Sequence, residues 1–174
     1  MNKIIIAITS ILAITAFVIS TIQYFTSPKT AYVSTAELYN EFNLKKELEG
    51  RYLREQGQRN KELDSIKLQV QNRYTELLNQ KSPDKAQIQK FEALESWYYQ
   101  KEEEIKEEDG RQAQDYTEQV WKQLNQYIKE YGDKESYTYL YGARGEGNLL
   151  YAKDSKNVTK ELIEFVNARY EGDL

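Results

Sequence analysis

Leu77-Leu-Asn-Gln-Lys-Ser-Pro-Asp-Lys-Ala-Gln-Ile88 decides the fold. Its centre, Ser82-Pro83-Asp84, is the one strong helix break in a charged stretch that runs from Ser34 to Tyr131. A hydroxyl residue followed by proline suits a helix start, because proline fixes φ and the N–H it lacks would have no partner in the first turn. Apolar residues recur at steps of mostly three or four before the break, at Leu38, Phe42, Leu48, Tyr52, Leu63, Ile66, Val70, Tyr74 and Leu77. They resume after it at Ile88, Phe91, Leu94, Tyr98, Ile105, Tyr116, Val120, Leu124, Ile128 and Tyr131. Each series is a narrow helical stripe. Two helices of nearly equal length, each about 70 Å long at the α-helical rise, joined by a tight turn, predict an antiparallel coiled-coil hairpin.

Such an arm buries little, so the rest of the chain must supply a body. Of 174 residues, the arm spans 46–131, leaving 31–45 and 132–174 for that body. This is small for a self-sufficient core, and association between copies is the expected remedy. There is no cysteine and no histidine, which removes disulfides, thiol nucleophiles and the commonest general base and metal ligand. The net charge of −4 argues against nucleic acid as a partner. The first arm is nearly balanced, with 9 Lys/Arg against 8 Asp/Glu over residues 35–81, and the second is acidic, with 7 against 12 over residues 82–131.

Ala31-Tyr32-Val33 is β-prone. Ser34 and Glu37 follow at capping-box spacing, with Val33 and Leu38 at the staple positions, so a strand should run straight into a helix. At the far end, Tyr131-Gly132 is a helix stop. Tyr137–Tyr141 and Leu149–Ala152 read as two strands of a hairpin around the turn Gly142–Asn148. A last helix starts near Asn157, with Val158, Leu162, Phe165 and Val166 on one face. The fold class is α+β: a long helical hairpin projecting from a small β-sheet body, in the order β-α-α-β-β-α.

Residues 1–30 form a membrane anchor or signal segment plus tether. Ile4–Ile22 carries no charge and follows Lys3, and its length is just enough for a bilayer-spanning helix with the N-terminus inside. No A-x-A site is present, which favours an uncleaved anchor over a cleaved signal peptide. Both readings agree on export; the remaining one is a buried helix of the domain.

Chemistry-like motifs reduce to structure. Glu102–Asp109 (EEEIKEED) is a solvated helix face, because helical carboxylates at these spacings point in several directions. Asn157-Val158-Thr159 has the glycosylation pattern but suits a helix cap. Gly142, Gly145 and Gly147 lie between strands, with no helix N-terminus after them to cradle phosphate. No enzyme is expected, nor any cofactor or metal.

The aromatic residues are more informative. Trp97-Tyr98-Tyr99 sit 100° apart in turn around a helix, so one seam cannot cover all three. With Tyr98 in the seam, Trp97 or Tyr99 faces outward. Tyr74, Phe91, Trp97 and Tyr99 are the candidate binding residues, since aromatic rings bury area at low entropic cost. Gly57 and Gly110 lie at similar heights from the turn, either as neutral interruptions or as a shared hinge.

Ala31-Tyr-Val-Ser-Thr-Ala-Glu-Leu-Tyr-Asn-Glu-Phe42 with Leu44-Lys-Lys-Glu-Leu48 resembles the opening of the Skp/OmpH family of envelope chaperones. Leu149-Leu-Tyr-Ala-Lys-Asp-Ser-Lys-Asn-Val-Thr-Lys-Glu-Leu-Ile163 resembles the family's closing hairpin and last helix. The resemblance covers about residues 31–170. It implies a periplasmic homotrimer whose body is built from strands around Tyr32, Val33, Tyr139, Leu140, Tyr141, Leu149 and Leu150. Three arms would enclose a cavity. It further implies a holdase that keeps unfolded outer-membrane and envelope proteins from aggregating without ATP. Skp itself is strongly basic and soluble, whereas this chain is acidic and carries the apolar N-terminal segment. The alternative function is a membrane-tethered coiled-coil scaffold for one folded envelope partner.

Overall fold

The computed structural model describes residues 8–9, 12–21, 27–144 and 149–173. Residues 8–9 and 12–21 are helical and exposed. Among the described residues no helix is long and apolar enough to cross a membrane. The expected span Ile4–Ile22 lies partly outside the described residues.

Strand β1 (Thr30–Ser34) runs directly into helix α1 (Thr35–Glu41). The Ser34 hydroxyl accepts the Glu37 N–H at 3.3 Å, the expected cap. The return half of the expected box is replaced. The Ser34 N–H donates to Thr159 Oγ1 at 2.9 Å, tying the helix start to the far end of the chain. Val33 and Leu38, the staple pair, are both buried in one cluster.

The first arm does not run unbroken from Ser34. At Phe42 the backbone is extended (φ −71°, ψ 125°), and α2 (Asn43–Leu78) starts after it. Phe42 is fully buried, and its ring meets Tyr127 and Tyr170 edge-on at centroid distances of 6.2 and 5.7 Å. The break turns that ring into the core. Burial of such a side chain stabilises by about 1.5–3 kcal/mol, enough to offset one interrupted helical turn.

The turn ends where α3 (Lys85–Lys134) begins, so the helix starts after Asp84 and not at Ser82. Gln87 Oε1 accepts the Asp84 N–H at 3.2 Å, the return bond of a capping box. Pro83 therefore precedes the cap. α3 has 50 residues against 36 in α2, because its last turns run past the root of α2 into the body. It also runs through Gly132. The stop is a Schellman motif three residues later: Tyr137 N–H donates to the Gly132 carbonyl at 2.9 Å and Ser136 N–H to the Asp133 carbonyl at 3.2 Å. Ser136, not a glycine, takes the left-handed position at φ 57°.

Strand β2 (Tyr139–Ala143) pairs with β1 in parallel, with Tyr32 opposite Tyr141 and Val33 opposite Gly142. This replaces the expected antiparallel hairpin: 149–152 is not a strand. The connection between the paired strands is the arm itself. On the other side of β1 there is one isolated bridge, Tyr32 to Asn157. Among the described residues the run Leu149–Ala152 thus finds no strand partner, and Leu150 is 90% exposed. Gly142 belongs to β2 and not to the turn. A Cβ there would stand 2.7 Å from Thr35 Cγ2, so glycine is what lets β2 approach the start of α1.

After a 3-10 turn at Asp154–Lys156, α4 (Thr159–Glu171) closes the body. Asn157 Oδ1 accepts the Thr159 N–H at 3.0 Å and its hydroxyl at 2.6 Å, so the side chain is held against the first helical residue, while Val158 takes the cap position without a side-chain cap bond. Leu162 and Val166 are fully buried. The core lies where α1, α4 and the roots of α2 and α3 meet, and it includes Leu48, Val120 and Leu124 from the arm helices. The root of the arm is part of the body's core.

Candidate functional site

Beyond the root, α2 and α3 share a thin seam. Ile66 and Ile105 are its buried residues in the outer arm. A two-helix seam covers one stripe of each helix, so an apolar side chain off that stripe stays exposed.

The expected binding residues divide into two groups. Tyr74 of α2 and Phe91 of α3 meet across the pair near the turn, with ring centroids 5.8 Å apart, tilted by 34°. Tyr74 is 52% exposed, while Phe91 is half-buried. The sequence offered the two as separate candidates; the structure brings their rings into contact. Trp97 and Tyr99 are both exposed, at 46% and 58%. Tyr98 between them is half-buried, and its hydroxyl contacts Glu102 Oε1 at 3.2 Å. Burial and the Glu102 carboxylate raise the Tyr98 hydroxyl pKa. Trp97 and Tyr99 are two residues apart, so they look out on different sides of α3. They do not form one patch.

The sequence reading missed Leu53, Leu68 and Leu78 of α2, all exposed. Leu78 lies one turn beyond Tyr74 and, with Ile88 of α3, extends apolar surface to the end of the hairpin. The available signal was that these leucines fall off the seam stripe. Also missed was the stack of Tyr39 on Trp121, with centroids 5.1 Å apart. It walls an open groove of about 500 Å³ between α1 and α3, with Arg144 at its mouth. The hydroxyl pKa of neighbouring Tyr116 is raised by burial and by its hydrogen bond to Tyr39.

Gly57 and Gly110 stand in unbroken helix, and a Cβ at either would meet nothing within 4 Å. They flank a polar layer. Arg59 Nε donates to Asp109 Oδ1 at 2.8 Å, Arg59 Nη2 to Gln112 Oε1 at 2.9 Å, and Gln56 Nε2 to Asp109 Oδ2 at 3.3 Å. Below it, a polar-lined cleft of about 270 Å³ opens between the helices at Tyr52, Glu55, Gln112 and Tyr116. The acidic run nearby disperses. Glu103 pairs with Lys106, Glu104 with Lys101, Glu108 with Arg111 and Asp109 with Arg59. Among the described residues no group of His, Cys, Asp and Glu is arranged to hold a metal ion.

The body residues expected to meet other copies are placed unevenly. Tyr139 and Tyr141 are exposed on one face of β2, with rings 6.0 Å apart. Leu150 is exposed; Tyr32, Leu140 and Leu149 are half-buried. Val33 is packed inside this chain's own core.

Comparison with known proteins follows the same outline. A crystal structure from Caulobacter crescentus CB15 of a candidate outer membrane chaperone (OmpH-like) superposes with a TM-score of 0.72. It covers 83% of this chain and 86% of that one, at 17% sequence identity, a likeness of fold. No curated protein matches. The model of the family "Outer membrane protein (OmpH-like)" matches residues 29–166, from the tether before β1 to the last buried residue of α4. The chain belongs to the OmpH-like family of outer membrane proteins.

Proposed function

We propose that this chain is an ATP-independent holdase chaperone. It binds unfolded outer-membrane and envelope proteins on the periplasmic side of the envelope and keeps them from aggregating. The observation that carries this reading is the exposure of Tyr74, Trp97, Tyr99 and Leu78 along an arm that has almost no core behind them. Large apolar side chains left exposed along a rod without a covering element supply separate points of contact rather than one contiguous patch. Rings spread over several sides of a thin rod suit many weak contacts with varied clients better than one fitted partner. Gly57 and Gly110 would let the arm flex around clients of different size.

The working form is a homotrimer with three arms around a shared cavity. Exposed Tyr139 and Tyr141 on a two-stranded sheet, and exposed Leu150 outside it, support association of the bodies. A sheet of two strands is marginal by itself. Residues 4–22 would hold the assembly to the inner membrane, or direct its export and be removed.

The test is light scattering of an unfolded β-barrel membrane protein diluted from denaturant, with the chain present at one trimer per client. Suppressed aggregation is expected. Graded loss across several clients on Tyr74→Ala, Phe91→Ala, Trp97→Ala and Tyr99→Ala supports the holdase. Loss of one folded partner, with aggregation unaffected, would instead identify a tethered scaffold. Native mass determination of the purified envelope form reports both three copies and retention of the N-terminal segment.

A further inference from the structure

We infer that the polar layer at Arg59 and Asp109 is a latch that sets the register of the two arm helices and holds the outer arm to the root. This inference is independent of what the arm binds.

Apolar contacts are non-directional. The seam below the layer, at Leu48 and Val120, and the seam above it, at Ile66 and Ile105, attract without fixing one alignment. A guanidinium and a carboxylate do fix one, because the donor fork and acceptor oxygens must face each other. Polar residues within an apolar seam set pairing in this way in coiled coils. Here the layer draws on both helices: Gln56 and Arg59 from α2, Asp109 and Gln112 from α3. Both oxygens of Asp109 accept, and Arg59 donates from two nitrogens. The side chains of Arg59 and Asp109 are 19% and 17% exposed. Removing either charge leaves the other partly buried without its partner.

Two further features make the layer a latch rather than a passive contact. Gly57 and Gly110 adjoin Gln56 and Asp109, so both helices are weakened by propensity at the same level. The cross-link therefore compensates for local softness, and opening it would release that softness in both helices together. Arg59 also has a second carboxylate in reach on its own helix, Glu55 at 4.0 Å. On opening, the guanidinium can turn to Glu55 and keep a counter-charge, which lowers the cost of the open state.

The experiment is amide hydrogen–deuterium exchange on the full chain and its variants. In Asp109→Asn, exchange over residues 53–63 and 106–115 is expected to rise about tenfold, as sub-global opening requires. Exchange around Leu124 and Val166 in the core should stay unchanged. Arg59→Lys keeps the charge and the bulk but loses the fork, so it folds and shows a smaller rise in the same two segments. The charge swap Arg59→Asp with Asp109→Arg, made together with Glu55→Gln to remove the like charge one turn away, should restore exchange to near the parent rate. Lys106→Gln, which removes an exposed pair with Glu103, should change nothing. Unchanged exchange in both Asp109→Asn and Arg59→Lys would overturn the inference. So would a rise spread evenly from the turn to α4, or a swap that fails to restore protection.

Discussion

Asn167 of α4 accepts the backbone N–H of Asn43 on its Oδ1 at 2.8 Å. Its Nδ2 donates to the carbonyl of Glu41 at 3.0 Å. One side-chain amide thus supplies bonds on both sides of Phe42, where the helix is interrupted. Asn167→Ala leaves an N–H and a carbonyl without those partners. The expected loss is about 1–3 kcal/mol, read from urea unfolding at fixed protein concentration. Asn167→Asp keeps the acceptor for Asn43 but turns a second oxygen on the Glu41 carbonyl, so it should not recover the loss. Equal stability of Asn167→Ala and the parent would show that water replaces both bonds at no cost.

This contact also shows what local sequence could and could not reveal. The strand before Ser34, the cap at Ser34, the double-back near Pro83 and the apolar face Leu162–Val166 all follow from spacing within a few residues. The break at Phe42 does not. Phe42 falls on the apolar stripe between Leu38 and Leu48, and the group that satisfies the broken turn lies 124 residues away in sequence. Pairing of β2 with β1 is hidden for the same reason: the alternating pattern Tyr139–Tyr141 gives a strand but not its neighbour. Leu149–Ala152 has a strand-like composition, yet among the described residues it pairs with neither strand. For the candidate site, the sequence marked Tyr74 and Phe91 one by one as aromatic residues of the two stripes, and their contact across the pair came only with the structure. Leu68 and Leu78 were legible only as leucines off the stripe.

Ser136 occupies the left-handed position of the stop that ends α3, at φ 57°. A β-carbon is disfavoured there, and glycine is the usual occupant of this position. The side chain is exposed. Ser136→Gly is therefore expected to raise stability by about 1 kcal/mol, the cost of a β-carbon in this region less the extra freedom of glycine in the unfolded chain, seen as a higher midpoint in thermal unfolding. A lower midpoint would mean that the added freedom of the unfolded chain outweighs the relieved strain.

Two tyrosines predict an alkaline weakness. Burial, with Tyr137 and Glu135 adding to it, raises Tyr131 from 10.0 to about 12. Tyr170 is raised from 10.0 to about 12 first by its hydrogen bond to Glu47 and then by burial. Below pH 10 both are neutral whether the chain is folded or not. Between pH 10 and 12 the unfolded chain releases these protons and the folded chain retains them, so unfolding gains. Stability should be level from neutral pH to about 9.5 and fall from 10 to 12. In Tyr170→Phe the fall across that window should be shallower than in the parent, since one of the raised hydroxyls, which also include Tyr98 and Tyr116, no longer titrates. Parallel curves for parent and variant would refute the assignment to Tyr170.

Gly57 and Gly110 allow the flexing of the arm to be separated from its stability. Both lie in continuous helix, neither has a positive φ, and an added methyl meets nothing within 4 Å. Gly→Ala at either site should stabilise by about 1 kcal/mol. The gain from both should be close to the sum, because neither methyl creates a contact. Thermal unfolding at fixed concentration measures it. If flexing at these glycines serves client binding, the double variant is more stable and yet suppresses aggregation of large clients less well than the parent, with small clients unaffected. If it is more stable and holds every client equally well, the glycines are neutral interruptions, and the arm adapts elsewhere. A loss of stability would contradict the unbroken helix itself, because an exposed alanine in regular helix has no other way to destabilise it.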